Sequence, residues 1–430
     1  MTTPAKKIRP KDRNALIGSL RAGVVPRTGQ HLIQVGRVNE VRALLDDIER
    51  VADGGTAARF VIGDYGSGKT FFLNLVRAIA AQKKLVTVHA DLNPGRRLAS
   101  SGGQARGLYT ELMRNTATQA KADGALGSVV ERFVTQAMDE AKRTDSSPSR
   151  VIRSRLEELQ ELVGGYDFAI VVEKYWRGYD TDDDALKANA VRWLRGEYTT
   201  KTEARADLGV RSIVDDDSVY DQLKLLARFV RLAGYQGLLV CLDEMVNLYK
   251  IAQKNSREAN YEQILRIVND SHQGTAEGIG FVFGGTPDFL TDSRRGLHSY
   301  GALASRLSEN QFATNGLVDY SGPVLRLDQL TPEDFHVLLQ NLRHVYAGGD
   351  PAKYLVPDEA LTAFTAHSQK QIGSAYFRTP RTTIKAFCDL LSLLDQNPDQ
   401  DWREMLGHTT VKPEHNPDLA PLDDDDLVSF

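Results

Sequence analysis

The chain has 430 residues, 41% hydrophobic and 26% charged, with a formal net charge of −4. This is ordinary globular material, enough for two or three domains and against wholesale nucleic-acid binding. Cys241 and Cys388 stand far apart with no Cys or His at ligand spacing, which excludes a disulfide framework or zinc site and fits a cytoplasmic setting. No run of about 18 apolar residues and no signal-peptide h-region is present, so no membrane is expected.

Residues 1–30 carry Lys6, Lys7, Arg9, Lys11, Arg13, Arg21 and Arg27 against one acid, Asp12. They read as a basic arm with a short helix near Asn14–Arg21, punctuated by Gly23 and Pro26. A strand or turn at His31–Gly36 leads to Gly36-Arg37. An amphipathic helix follows, with Val41, Leu44, Leu45, Ile48 and Val51 on one face.

Phe60, Val61 and Ile62 form a short apolar strand. The run Gly63-Asp64-Tyr65-Gly66-Ser67-Gly68-Lys69-Thr70 then fills the spacing G-x-x-x-x-G-K-[ST], and Phe71, Phe72, Leu73, Leu75, Val76 and Ile79 continue as helix. Strand, glycine loop and helix is the context that makes this spacing a phosphate cradle. Backbone N–H groups and the helix N-terminus face the anion. Lys69 sets a compact cation on the terminal phosphates, and Thr70 offers Mg²⁺ a hard oxygen ligand. ATP and Mg²⁺ are the expected ligands; a plain glycine turn is the alternative.

Leu85–Ala90 is a second strand, with His89-Ala90-Asp91 at the carboxyl edge where α/β sheets place ligands. The chain then runs about 150 residues to the next strong strand, whereas a crossover needs only about a dozen. Helical patterns fill this insertion: Leu108–Ala122, Val129–Lys142, Val151–Leu162, Phe168–Tyr175, Ala185–Leu194 and Val219–Leu232. Arg150, Arg153, Arg155, Arg192 and Arg195 read as helix surface in preference to phosphate contacts. Trp176 and Trp193 read as core.

Gly237–Glu244 is a buried strand ending in two acids. Beside a phosphate loop, Asp243 would hold Mg²⁺ and Glu244 would polarise the water attacking the γ-phosphorus. Helix continues over Met245–Val268, with Lys254 to Glu258 as a loop. After the Ile279–Phe283 strand, Thr286 is the candidate contact to the γ-phosphate, a simple turn being the alternative. Val324–Leu327 is the last strand. Thr331 as N-cap and Pro332 at N1 open a helical region. Phe377-Arg378-Thr379-Pro380-Arg381 opens its last helix, Thr382–Leu394.

This order of elements resembles the AAA+ ATPases, and among them the origin-recognition-like branch, over roughly residues 30–95 and 235–395. The resemblance implies an α/β P-loop NTPase fold, a parallel sheet flanked by helices with a large helical insertion and a helical C-terminal lid. The expected organisation is a basic arm at 1–30, an ATPase core at 31–330 with the insertion at about 100–232, a lid at 331–395 and an acidic tail at 396–430. It also implies that Gly36 and Arg37 flank the adenine, Thr286 is a first sensor and Arg381 a second. Arg306, in Ala-Leu-Ala-Ser-Arg-Leu, would be an arginine finger reaching a neighbouring copy's nucleotide, a task suited to a forked, always-charged group. Acting in trans, it implies a homo-oligomer. Each arginine has an ordinary surface role as its alternative.

A closer likeness lies in Ser19-Leu-Arg-Ala-Gly-Val-Val-Pro26, Val35-Gly-Arg37, Gly63 to Phe71 with its Tyr65, and Thr379-Pro-Arg381. These resemble the ATP-binding proteins of BREX-type phage-defence loci, the BrxD family. That likeness implies an ATPase acting on or with DNA in prokaryotic defence, beside a large helicase partner. A nucleotide-gated scaffold that controls such a partner, with little hydrolysis of its own, carries the same motifs. A GTPase-type switch is weaker, since no Asn-Lys-x-Asp run reads a guanine base.

Overall fold

The computed structural model describes residues 7–313, 317–372 and 380–408. In chain order the elements begin α1 (Pro10–Arg21), a 3₁₀ turn at Gln30–Leu32, α2 (Val38–Ala52), β1 (Thr56–Ile62), α3 (Lys69–Gln82) and β2 (Val86–Asp91). The insertion holds α4 (Gln104–Arg114), α5 (Leu126–Arg143), α6 (Pro148–Leu156), α7 (Gly165–Asp180), α8 (Asp184–Leu194), α9 (Lys201–Leu208) and α10 (Val219–Leu232). Then come β3 (Leu238–Asp243), α11 (Val246–Tyr249), α12 (Lys254–Gln273), β4 (Ile279–Gly285), α13 (Pro287–Thr291), α14 (Gly301–Arg306) and β5 (Val324–Arg326). The chain closes with α15 (Pro332–Tyr346), α16 (Asp358–Ile372), α17 (Pro380–Gln396) and α18 (Trp402–His408). Among the described residues no helix is long and apolar enough to cross a membrane.

Two compact units result. One is built from the described parts of Met1–Glu40, Ile62–Leu75 and Arg326–Phe430, the other from Val41–Val61 and Val76–Leu325.

The larger unit is organised by a five-stranded parallel sheet in the order β2-β3-β4-β1-β5. Every residue of β3 is buried, as expected of a parallel strand covered on both faces. It pairs with β2 from Val86↔Leu238 to Asp91↔Asp243 and with β4 from Leu238↔Ile279 to Leu242↔Phe283. Phe60 of β1 stacks on Phe283 of β4 at 4.7 Å. One ion pair is buried beside β1: Arg59 Nε and Nη2 donate to Asp47 of α2 at 2.7 and 2.9 Å, with side chains 6% and 7% exposed. Arg59 also donates to the carbonyls of Tyr320 and Gly322, so it anchors the segment leading into β5.

The insertion packs as its apolar spacing requires. Phe133 of α5 and Phe168 of α7 meet Phe229 of α10 at 5.1 and 5.3 Å, and Trp193 is buried against Phe168. Ser147, Asp183 and Thr200 cap α6, α8 and α9. Three expectations are corrected here. The helix expected to reach Ala122 stops at Arg114, because Thr87 and Ala117 exchange backbone hydrogen bonds and draw the chain onto β2. The segment 254–258 is the first turn of α12, and the break lies at 250–253. A further helix, α9, stands where no element was expected.

The smaller unit is a helical cluster. Thr331 and Asp334 form a capping box at the start of α15, which satisfies two otherwise orphaned N–H groups. Leu16, Ile17 and Leu20 of α1 are buried with Phe335, Leu339, Phe364, Phe387 and Leu391. Arg21 pairs with Asp389 at 2.9 Å, and Arg13 lies over Tyr346 at 5.2 Å. Residues 10–21 therefore form a helix whose apolar face is buried in this helical cluster. Within the segment read as an acidic tail, α18 buries Leu406 in the same core. Asp423 to Asp426, and Phe377-Arg378-Thr379, lie outside the described residues.

Arg59→Ala should cost about 3–5 kcal/mol in urea unfolding followed by circular dichroism, because it removes both hydrogen bonds to the buried Asp47 and leaves it only Arg50 at 3.8 Å. Arg59→Met combined with Asp47→Leu should cost clearly less, since no charge is left buried alone.

Candidate phosphate loop and carboxylate edge

The glycine-rich loop leaves β1 at Ile62 and ends where α3 starts at Lys69. Leu327 N–H donates to Ile62 O at 2.7 Å and fixes the loop's point of departure. Ser67 N–H returns to Asp64 O at 3.1 Å, and Phe72 N–H to Gly68 O at 2.9 Å as the helix begins. Gly66 and Gly68 have φ of +81° and +86°, values glycine adopts without steric cost. At Gly63 the constraint is space: a Cβ there would lie 2.5 Å from Ser67 Oγ and 2.9 Å from Leu327 O.

Lys69 Nζ donates to the carbonyls of Gly63 and Asp64 at 2.8 and 2.9 Å. The cation is thus folded over the mouth of its own loop, at the start of α3, where a helix dipole favours negative charge. Ser67 Oγ is buried with no hydrogen-bond partner among the described residues. A Cβ added at Gly68 would meet nothing within 4 Å. An orphaned hydroxyl, a lysine and open space at a helix start fit a phosphate group. Thr70 is exposed in the first turn of α3, Tyr65 is half-buried, and Phe71 packs on the lid's core.

Arg37 is held against this loop. Its Nη2 donates to Ser67 O at 3.3 Å and to Asp328 O, and Nη1 lies 3.8 Å from Glu40. Burial lowers its pKa, opposed by the carboxylates of Glu40, Asp328 and Asp334. Its φ is +60°, and Gly36 before it, at φ +58°, lies against the Asp334 carboxylate. Arg37 therefore ties the phosphate loop to the segment leading into α15. Arg381, in the first turn of α17, is exposed and lies beside Gly23.

The carboxylates belong to the larger unit. Asp91 and Asp243 end β2 and β3 and stand directly in register. Asp243 is 7% exposed and accepts from Glu244 N–H at 2.9 Å. Glu244 is exposed with φ +58°. Loss of solvent around the Asp91 carboxyl group, and then the Asp243 carboxylate beside it, raise its pKa above the usual carboxylate range; Arg96 and Arg77 oppose this. Thr286 follows β4 and caps α13, its Oγ1 accepting from Phe289 N–H at 3.4 Å. Arg306 is exposed at the end of α14 and donates to Asn269 Oδ1 at 2.5 Å and Ala302 O at 2.9 Å. Among the described residues no group of three or more His, Cys, Asp or Glu is clustered to hold a metal ion by itself.

Most insertion arginines singled out from the sequence face carboxylates. Arg153 pairs with Glu173 at 2.5 Å, Arg155 with Glu140, and Arg192 with Glu203 at 2.6 Å. The surface reading of these three therefore holds. Sequence reasoning missed the anchoring of Arg37 on Ser67 and the bracing of Glu244 by Asn247, which donates to its carbonyl. Only the spacing of Asn247, three residues beyond Glu244, could have hinted at the latter.

Gly63→Ala should weaken ATP binding by about 10- to 100-fold in calorimetric titration, because the added methyl overpacks the loop. The Asp91 pKa is raised in the folded state, so the fold favours its protonated form. The associated stability is present below the ordinary carboxylate pKa of about 4 and is lost as pH rises through the folded value. Without divalent cations, Asp91→Asn should therefore raise Tm at pH 7, and the gain should vanish near pH 4.

The chain matches the profile of the BREX system ATP-binding protein BrxC/D family over residues 8–410. No curated protein matches it. The match runs from just before α1 to just past α18, and the chain belongs to the BREX system ATP-binding protein BrxC/D family.

Proposed function

We propose that this BREX ATP-binding protein is a Mg²⁺-dependent ATPase of the AAA+ type that works on or with DNA in phage defence. ATP binding and the BREX setting come with the family. The observation that carries the rest is the loop itself: Lys69 over the carbonyls of Gly63 and Asp64, with the buried, unpartnered Ser67 hydroxyl behind it. Strand topology adds support, since β1 and β3 flank β4 in one parallel sheet. The loop follows the carboxyl end of β1, and the acids end β3.

In this reading Gly63 to Thr70 hold the triphosphate and Lys69 neutralises its terminal charge. Thr70 and Asp243 would hold Mg²⁺, which supplies further charge neutralisation. Glu244 orients and polarises the attacking water, a task for a carboxylate that is exposed at a strand end. The protein's share is position and electrostatics, with little covalent work. Thr286 and Arg381 serve as sensors, and Gly36-Arg37 sits beside the base. Arg306 reaches the nucleotide of a second copy in a homo-oligomer. A helicase or another defence protein is the expected partner.

One observation favours a second reading, a nucleotide-gated scaffold with little hydrolysis of its own. Arg153, Arg155 and Arg192 are tied to carboxylates. Such pairs leave fewer cations to release counterions from DNA, which shifts the DNA contact toward the partner.

Lys69→Ala should abolish measurable ATP binding. Glu244→Gln should keep ATP affinity and lower kcat by about 100-fold or more, the range lost with a general base. Phosphate release measured alone, with DNA and with the partner separates the readings. Stimulation by DNA alone supports the ATPase, and turnover near zero until the partner is added supports the scaffold.

A further inference from the structure

Glu244 occupies a backbone conformation that its side chain disfavours. Its φ of +58° lies in the left-handed region, where a Cβ crowds the following carbonyl. Glycine would relieve this but carries no carboxylate. Such a residue persists only where its surroundings over-determine it, and here they do. Its N–H donates to Asp243 Oδ1 at 2.9 Å. Its carbonyl accepts from Asn247 N–H at 3.0 Å and from Asn247 Nδ2 at 3.2 Å. The next N–H, that of Met245, donates to Gly284 O in β4 at 3.0 Å.

Asn247 does more than close this turn. Its Nδ2 also donates to Leu92 O at 2.9 Å, and Leu92 N–H donates to Asp243 O at 3.0 Å. Both N–H bonds of one amide group are used, one on Glu244 and one on the segment that leaves β2. That segment is fixed again seven residues on. Leu98 and Ala99 N–H donate to Oδ1 of the fully buried Asn260 at 2.8 and 2.9 Å, and Asn260 Nδ2 donates to Ala99 O at 3.1 Å. Beyond it begins α4, the first helix of the insertion.

We propose that Asn247 is a positioning residue that sets the Glu244 carboxylate from the segment joining β2 to the helical insertion. A displacement of that segment, through a partner bound to the insertion, then reaches Glu244 through a single amide. The proposal rests on the ATPase reading of Glu244. It gives the insertion a part in that reaction without requiring it to touch nucleotide.

Asn247→Asp is the direct test, because it keeps the side chain's size and turns two donors into acceptors facing two carbonyls. We expect kcat to fall about 10- to 100-fold, as for a misplaced catalytic group, with ATP affinity within about twofold of wild type. In a Glu244→Gln background the same change should add no further loss, as for residues acting as one unit. Without nucleotide, amide hydrogen exchange at Glu244 and Met245 should quicken. Asn247→Ala should show a smaller loss of the same kind, and it decides the matter if the Asp variant fails to fold. Wild-type turnover and exchange in these variants, beside an inactive Glu244→Gln, would overturn the proposal alone. A Glu244→Gln variant as active as wild type would overturn the ATPase reading and this inference with it.

Discussion

Asp243 is 7% exposed at the end of a strand whose other residues are buried and apolar, and Asp91 lies directly beside it in register. Two carboxylates in that setting repel each other, and Asp243 adds to the loss of solvent that raises the Asp91 pKa. The cost can be borne only at a sheet's carboxyl edge, where backbone N–H groups and solvent reach them. Much of the surrounding structure follows from managing this edge. Glu244 N–H turns back to Asp243, its own backbone is bent into the left-handed region, and Asn247 ties it to Leu92. A divalent cation inverts the balance of charge at such a place, which is why the proposed magnesium is assigned to Asp243.

The phosphate loop meets the opposite problem, a surplus of donors. The start of α3 offers N–H groups without helical partners, and Lys69 adds a full positive charge. The loop's own carbonyls accept from the lysine, while Ser67 Oγ stays buried with no partner among the described residues. Arg37 holds the loop from outside through Ser67 O, and its neighbour Gly36 abuts the Asp334 that caps α15. The start of α15 and the glycine-rich loop therefore share one set of contacts.

Parts of this were legible in one dimension. The glycines, Lys69 and Thr70 are adjacent in sequence, so their spacing sufficed to place a glycine-rich turn between β1 and α3. The Asp243-Glu244 strand was legible because a buried parallel strand must be apolar throughout and polar where it emerges. The cap at Thr331 and the core position Trp193 followed from side-chain chemistry and helical periodicity. The basic composition of residues 1–30 gave no sign of burial, yet Leu16, Ile17 and Leu20 pack into the core of the helical cluster. The arginines of the insertion could not be assigned by composition. Arg153 meets a glutamate twenty positions away, a pairing that only the packing of α6 on α7 creates.

The sequence by itself determined the local structure: a strand, a glycine-rich turn, a helix start, and a second strand ending in acids, each specified by residues within reach of one another along the chain. Tertiary structure alone decided which distant groups became neighbours. It set Asp91 beside Asp243, Asn247 between Leu92 and Glu244, and α1 against α15 and α17. The reason is physical. Local conformation depends on side-chain sterics and adjacent hydrogen bonds, which are written residue by residue. Strand order, register and docking depend on burying apolar surface contributed by segments far apart along the chain, which no single stretch encodes.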